Sequence, residues 1–384
     1  MIAGRIVDRF PIAEKGTLYE LNLSHGQNIK IGEILFDLRG NRFRVQAIEQ
    51  ITPAIDRLDW KFERESIGVL FELVDHVQVE GTLLFDDGED VKKICFLFCN
   101  HPLYPQKVDE DYLAEYQVAK EKYPCALFSY EDLEKGTLSL YGDGISGMVV
   151  YRGWMMKPEM YRIFYRLLKN QGIYLINSPE EYENYHLLPN WYPDFHGQTA
   201  ESVWETRGDL ESAIQMTKDL KGSYLVKDYV KSRKHEWYDA CYIENIANQE
   251  SVRRVIGNFI ERQGENLVGG VVLRKFERLK RIGFHEKSGM PLSEEYRVFL
   301  FVGRILKMGD YWTDQGERRL LPEEEKWVEE IAKMVKSNFV TIDLARRENG
   351  ALMIMEFGDG QVSGLQQIHP KDFYQAFEKN LNKC

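Results

Sequence analysis

Long apolar runs are absent from this sequence, and no stretch of 18 or more apolar residues exists to span a bilayer. The first residues, Met1-Ile-Ala-Gly-Arg-Ile-Val-Asp8, lack the apolar core of a signal peptide. The expectation is a cytoplasmic protein with no membrane partner. Cysteine is sparse. Cys95, Cys99, Cys125, Cys241 and Cys384 are odd in number and scattered, without the paired spacing of a zinc site, and read as reduced core thiols. The eight histidines form no metal-ligand spacing, and His235 and His285 in basic loops read as solvated. There is no Ser/His/Asp signature, no GxGxxG after the first strand of the α/β region as a classical dinucleotide fingerprint requires, no internal repeat and no low-complexity tract. A net charge of −11 excludes a broad nucleic-acid footprint but leaves room for a local basic pocket.

What is present is a soluble globular chain of 384 residues, 43% hydrophobic and 29% charged, long enough for two or three domains. Residues 1–88 read as all-β, with short strands over 4–10, 16–23, 33–36, 43–48 and 69–73 separated by turn residues. Regular turns without a helical period predict a small closed barrel. The order of its features is Phe10, Gly16-Thr17, Ser24-His-Gly26, Ile29-Lys-Ile-Gly32, the strand from Val45, Ile67-Gly68-Val69 and Val79-Glu-Gly81-Thr-Leu-Leu84. That order resembles the second domain of elongation factor Tu and its translation-GTPase relatives. The resemblance implies a docking module, and with it a translation-factor or ribosome-associated partner.

After the acidic linker Asp86-Asp-Gly-Glu-Asp90 the rhythm becomes strands alternating with helices over 89–190, which predicts a parallel sheet covered on both faces. Arg152, beside Gly153 at the end of a strand, is expected to face the crevice where α/β sheets bind ligands. A second α/β region runs over 191–384. A strand over 223–232 carries Lys227 and Lys231, four apart and so on one side. A strand over 270–277 ends in charges, a hairpin over 296–308 carries Arg297, and helices are expected over 208–220, 251–263, 323–334 and 371–381. Basic residues concentrate over 218–234 and 274–287, as a triphosphate or an RNA end requires.

The densest chemistry lies between residues 339 and 365. Phe339-Val-Thr-Ile-Asp343 alternates as a half-buried strand does. Asn349-Gly350 predicts a type I′ turn, whose two central positions need φ > 0. A second strand over 351–355 runs into Glu356. Asp343 and Glu356 thereby fall on antiparallel neighbours, where two carboxylates repel unless a cation joins them, and hard oxygen ligands suit magnesium. Gly358-Asp359-Gly360 follows, a spacing that lets backbone approach a ligand closely.

Taken in order, a lysine strand, a strand ending in a hinge, an arginine strand and an acidic hairpin resemble the ATP-grasp superfamily. Tyr151-Arg-Gly-Trp154, Val226-Lys-Asp-Tyr-Val-Lys-Ser232 and Met355-Glu-Phe-Gly-Asp-Gly-Gln-Val-Ser-Gly-Leu365 look like its R-two-K clade, related to the eukaryotic cell-division-cycle protein that assembles translation initiation factor two. The resemblance implies a multi-domain α/β and α+β chain: a small barrel over 1–88, an α/β pre-ATP-grasp domain over 89–190 and an ATP-grasp domain over 191–384. It implies ATP and Mg2+ as cofactors. Lys227 then holds the α- and β-phosphates with Lys231 nearby, Arg274 and Lys275 form the adenine hinge through their backbone, and Glu277 accepts from the ribose. Arg297 neutralises the terminal phosphate, and Asp343 and Glu356 hold the metal. The usual third ligand position is Gly358 here, so Asp359 is the expected substitute. Residues 232–237 are basic where a glycine-rich flap is common. The implied activity is a carbon–nitrogen ligase that makes an acylphosphate for attack by an amine, with Arg297 and Arg152 in catalytic positions. The acceptor is a protein, peptide or RNA end. A non-catalytic ATP-binding assembly chaperone and an enzyme acting on RNA ends are the alternatives.

Overall fold

The computed structural model describes residues 1–12, 16–24, 26–49, 66–73, 82–287, 289–312 and 320–382. Alternation of apolar residues in short strands closes the chain up to Phe85 into a six-stranded antiparallel barrel. Its strands are Ile2–Ile12, Gly16–Leu23, Ile34–Phe36, Arg42–Glu49, Ser66–Leu73 and Leu83–Phe85, paired in the spatial order first, second, fifth, fourth, third, sixth. Inward-facing Ile6, Leu21, Leu35, Val69 and Leu84 are fully buried and fill the interior. The Val79-Glu80-Gly81 stretch and His25 lie outside the described residues.

The next layer is built on Cys95–His101, which runs parallel to both Cys125–Phe128 and Gly147–Arg152, with Ile173–Leu175 parallel on the far side. Leu140–Gly142 adds an antiparallel edge. The helix Pro158–Lys169 starts with proline, whose missing N–H is free at that position, and buries Tyr161, Phe164 and Leu168 against the sheet. Ser178 and Glu181 form a reciprocal capping box at the head of helix Pro179–His186. Asp109 caps a 3-10 turn over Glu110–Tyr112 before the α-helix Leu113–Lys120.

Two antiparallel four-stranded sheets, with a two-stranded ribbon of Arg281–Phe284 and Pro291–Ser293, form the remainder. The first contains, side by side, Ser202–Trp204, Val272–Lys275, Tyr224–Lys227 and Tyr242–Ile243. Helix Gln249–Gln263 packs on it through Val252, Val255, Ile256 and Phe259. The second contains Arg304–Asp310, Glu295–Phe301, Phe339–Arg346 and Leu352–Asp359. Helices Pro322–Met334 and Pro370–Leu381 flank it through Val328 and Ile331, and through Phe373 and Phe377.

Three expectations change here. Phe339–Arg346 is buried along nearly all its length, because it is an inner strand with packing on both faces. The Asn349-Gly350 turn is not type I′, since Gly350 alone has positive φ, at 90°. The Gly350 N–H donates to the Arg347 carbonyl and the Asn349 side chain accepts from Ala351, so a type I turn is followed by a left-handed glycine. The strand expected over 223–232 stops at Lys227, because Asp228 accepts from the N–H groups of Val230 and Lys231 and folds the chain back.

The layers are fastened by buried charge. Arg5 of the barrel, 5% exposed, pairs with Glu181 and donates to the carbonyls of Leu175 at 2.6 Å and Ile176 at 3.1 Å. Glu181 also accepts from the Asn338 side chain at 2.8 Å, so one carboxylate joins barrel, α/β layer and second sheet. No described helix is long and apolar enough to cross a membrane. The four described cysteines are unpaired, and burial pushes the Cys125 thiol up to about 12 and that of Cys99 up to about 11.

Candidate active site

Strand register places three charged residues in one row. Arg297 is directly opposite Asp343, and Asp343 directly opposite Glu356. Cross-strand partners share a face, so the row projects from one side of the second sheet into a cavity of about 210 Å³. Arg297 meets both oxygens of Asp343, at 2.7 and 2.6 Å, and donates to the Gly364 carbonyl at 2.9 Å. Burial works against its charge, but Asp343 outweighs that and raises its pKa above the ordinary arginine value. Lys227 reaches across from the first sheet to Glu356 at 2.5 Å. Burial would raise the Glu356 carboxyl, yet Lys227 and Lys234 hold it below the usual glutamate value. The two sheets therefore face each other through paired opposite charges.

Lys234 and His186 belong to this site and escaped sequence reasoning. Lys234 sits in the basic stretch that replaces the expected flap. Burial opposes its charge, but Glu295, Tyr311, Glu356 and Asp343 keep it above the ordinary lysine value. His186 lines the cavity, stacked on Tyr182 with ring centroids 4.7 Å apart. Burial lowers its pKa to about 4, with Lys231 and Lys227 adding to the effect, so it is neutral at neutral pH. No spacing rule could have found either residue. The acidic surroundings of Lys234 come from strands some sixty to one hundred and twenty residues later in the chain, and His186 is the last residue of its helix.

Beside the polar cavity lies a more apolar one of about 110 Å³, walled by Leu225, Trp237, Phe276, Leu292, Met353 and Met355. The hinge stretch borders it, though not as expected. Arg274 is in register with Leu225 and Ser202, and the Lys275 N–H donates to the Glu201 carbonyl, so their backbone is committed to neighbouring strands. The Arg274 guanidinium is buried, donating to Thr199 and Met355 at 2.7 Å each; burial lowers its pKa. Lys275 pairs with Glu201 at 2.7 Å, and Glu277 lies 3.7 Å from Arg347. Glu277 still lines the apolar cavity. Lys231 is exposed in the turn beyond its strand and does not share the face of Lys227.

Two expected site residues are elsewhere. Arg152 has no exposed surface. It pairs with Glu115 at 2.9 and 3.0 Å and donates to the Gly360 carbonyl at 2.5 Å, so it does not face the crevice. Asp359 alternates away from Glu356 and Gly358 along its strand and is fully buried, accepting from Asn177 at 2.5 Å and from Gln361 at 2.9 Å. It therefore does not enter the cavity. A side chain at Gly358 would meet Thr341 Oγ1 at 2.9 Å and Ser363 Oγ at 3.0 Å, a hydroxyl pair that occupies the space itself.

The residues present suit a metal that arrives with phosphate. Among the described residues no three His, Cys, Asp or Glu side chains form a cage. Asp343 and Glu356 supply two hard oxygen donors, and magnesium keeps water and phosphate oxygens for the rest.

No curated protein matches the chain. Among solved structures, D-alanyl-alanine synthetase A from Vibrio cholerae is 14% identical with a TM-score of 0.47, covering 76% of this chain and 100% of its own. The ATP-grasp ligase PsnB in complex with a precursor variant, Mg and ADP is 11% identical with a TM-score of 0.46, over 75% and 98%. A RimK domain protein from Sphaerobacter thermophilus is 9% identical with a TM-score of 0.49, over 75% and 99%. Residues 215–377 match the family model for the ATP-grasp domain, R-two-K clade family 3, and the two-sheet cleft is an ATP-grasp fold.

Proposed function

We propose that the chain is an Mg-ATP-dependent ligase that activates a carboxylate as an acylphosphate for attack by an amine. The observation that carries this reading is the row Arg297–Asp343–Glu356 lining a polar cavity next to an apolar one, with Lys227 of the opposite sheet paired to Glu356. The apolar cavity suits an adenine ring, with Glu277 at its rim for the ribose. The polar cavity suits the triphosphate. Asp343 and Glu356 would hold magnesium, which supplies charge neutralisation at the β- and γ-phosphates when bound.

Within the cleft the acids and bases neutralise one another. A triphosphate entering with its metal changes the partners: Lys227, Lys234 and Arg297 turn to phosphate oxygens and free the two carboxylates. Chemistry of this type is mostly positioning and charge stabilisation. A carboxylate oxygen of the acid substrate attacks the γ-phosphorus, and the bond to the β–γ bridging oxygen breaks to release ADP. The amine nitrogen then attacks the acyl carbon, the C–O bond to phosphate breaks, and the amine proton is lost. Arg297 is the group aimed at the transferring phosphoryl oxygens. No nucleophilic side chain is required, in keeping with the sequence. The barrel, locked to the α/β layer through Arg5, would present a protein acceptor of the translation machinery.

Incubation with labelled ATP and mixtures of acids and amines tests the reading. ADP and phosphate formed only when both an acid and an amine are present supports it. Transfer of AMP, or tight binding of ATP without turnover, sinks it in favour of nucleotidyl chemistry or of an assembly chaperone.

A further inference from the structure

We propose that the joint between the barrel and the second sheet is an oxyanion site of the phosphate class, held between Arg39 and Arg304. Arg39 lies in the turn between barrel strands Ile34–Phe36 and Arg42–Glu49, and Arg304 follows the tight turn Val302-Gly303 at the head of strand Arg304–Asp310. Both line one shallow depression together with Phe301, Val302 and Asn380 of the last helix. Arg304 pairs with Phe301, four strand residues or roughly 13 Å along from Arg297, and the depression shares no lining residue with either cavity of the cleft, so the site is distinct from the ATP-grasp cleft.

The two guanidiniums lack counter-ions among the described residues. Among the described residues neither side chain makes a hydrogen bond or an ion pair, while Arg304 acts on Arg39 as a like charge. Asp37 is the acid that acts on Arg39, but its oxygens are already engaged. One accepts from the backbone N–H groups of Arg39 and Asn41, and the other from the Asn41 side chain. Burial, with Arg304 adding to it and Asp37 opposing, lowers the pKa of Arg39 below the ordinary arginine value. Its guanidinium also lies close over Gly303, where a Cβ would come within 3.1 Å of Nη2.

Arginine forks match the geometry of tetrahedral and planar oxyanions. Two unpaired forks converging on one depression therefore leave a place for such a group. The depression takes in only about 10 Å³, so a ligand would rest over it between half-buried Arg39 and exposed Arg304 rather than enter it whole. The ligand is thus a terminal phosphate, either the free ion or the end group of a larger molecule. Bound there, it would join three parts of the fold: the barrel turn, the sheet hairpin and the last helix.

The probe is inorganic phosphate, titrated at constant ionic strength against chloride with the cleft filled by a non-hydrolysable ATP analogue and magnesium. The expected result is a rise in thermal midpoint of about 2 °C or more at saturation that chloride does not produce. Arg304→Gln and Arg39→Gln should each abolish the rise. Arg304→Gln should also leave the midpoint in chloride unchanged or higher, because it removes repulsion between the two arginines. Broadening of the phosphorus NMR line by the unmodified protein but not by Arg304→Gln is an independent readout. Repeating the titration with phosphoserine separates the sources: a rise with inorganic phosphate alone assigns the free ion, and a rise with both assigns a phosphate end group. An equal rise in chloride, or a rise that survives in both variants, overturns the assignment.

Discussion

Replacing Glu115 by glutamine tests where Arg152 belongs. Both Glu115 oxygens hold the Arg152 guanidinium, at 2.9 and 3.0 Å, and the Tyr374 hydroxyl donates to the same carboxylate at 3.1 Å. The guanidinium also lies over the rings of Phe373 and Phe299, 5.2 and 5.7 Å from their centroids. Arg152 has no exposed surface, so water cannot replace a lost partner. Removing one partner of a buried ion pair costs about 3–5 kcal/mol. Glutamine keeps one acceptor oxygen, which places the expected loss at the lower end, about 3 kcal/mol. At about 2 °C per kcal/mol for a chain larger than 150 residues, the thermal midpoint should fall by about 6 °C. Because Arg152 lines neither cavity of the cleft, calorimetric titration of the folded variant should give ATP affinity within about twofold of the unmodified protein. A midpoint close to that of the unmodified protein combined with a collapse of ATP affinity would refute this reasoning and put Arg152 on the ligand.

Three further predictions concern the same fold. Asp359→Asn should change Mg2+-dependent affinity for an ATP analogue less than about threefold, whereas Glu356→Gln should lower it at least tenfold; equal losses in calorimetry would return Asp359 to the metal. Gly270→Ala should destabilise the first sheet by more than about 2 kcal/mol, since a Cβ there would lie 1.8 Å from the Glu205 carbonyl oxygen; an unchanged thermal midpoint contradicts that contact. Glu294 is buried, yet Arg346 and Lys280 pull its carboxyl down to about 2. Its folded value is below the unfolded one, so the stability it contributes is complete above about pH 4.5 and is lost as pH falls toward 2. Glu294→Gln should therefore flatten the acid limb of a stability–pH curve between those values, and an unaltered slope counts against the cluster.

The sequence determined the large features because each rests on local periodicity. Alternation and regular turns in residues 1–88 led to the barrel, and strands alternating with helices led to the parallel layer. Asp343 and Glu356 were legible as neighbours because a tight hairpin joins their strands, but their direct pairing also needs the register shift between Asp343 and Leu344, which no local pattern records. Even there the turn type escaped, since Asn349 hydrogen-bonds through its side chain and so needs no left-handed backbone. Lys227 was legible from a cation on a packed strand, but Lys231 was not, because Asp228 ends the strand between them.

Tertiary structure alone decided which charges meet. Whether Arg152 faces a crevice or a buried carboxylate depends on Glu115, thirty-seven residues earlier on another element. Whether Asp359 points to a cleft depends on the side of the sheet to which Glu356 is committed. Lys234 and His186 enter the site only because distant strands and a helix end fold around them. Composition and period fix which residues are buried and in what kind of element. The partner that neutralises a buried charge is fixed by contacts between elements far apart in the chain, and no sequence spacing records those.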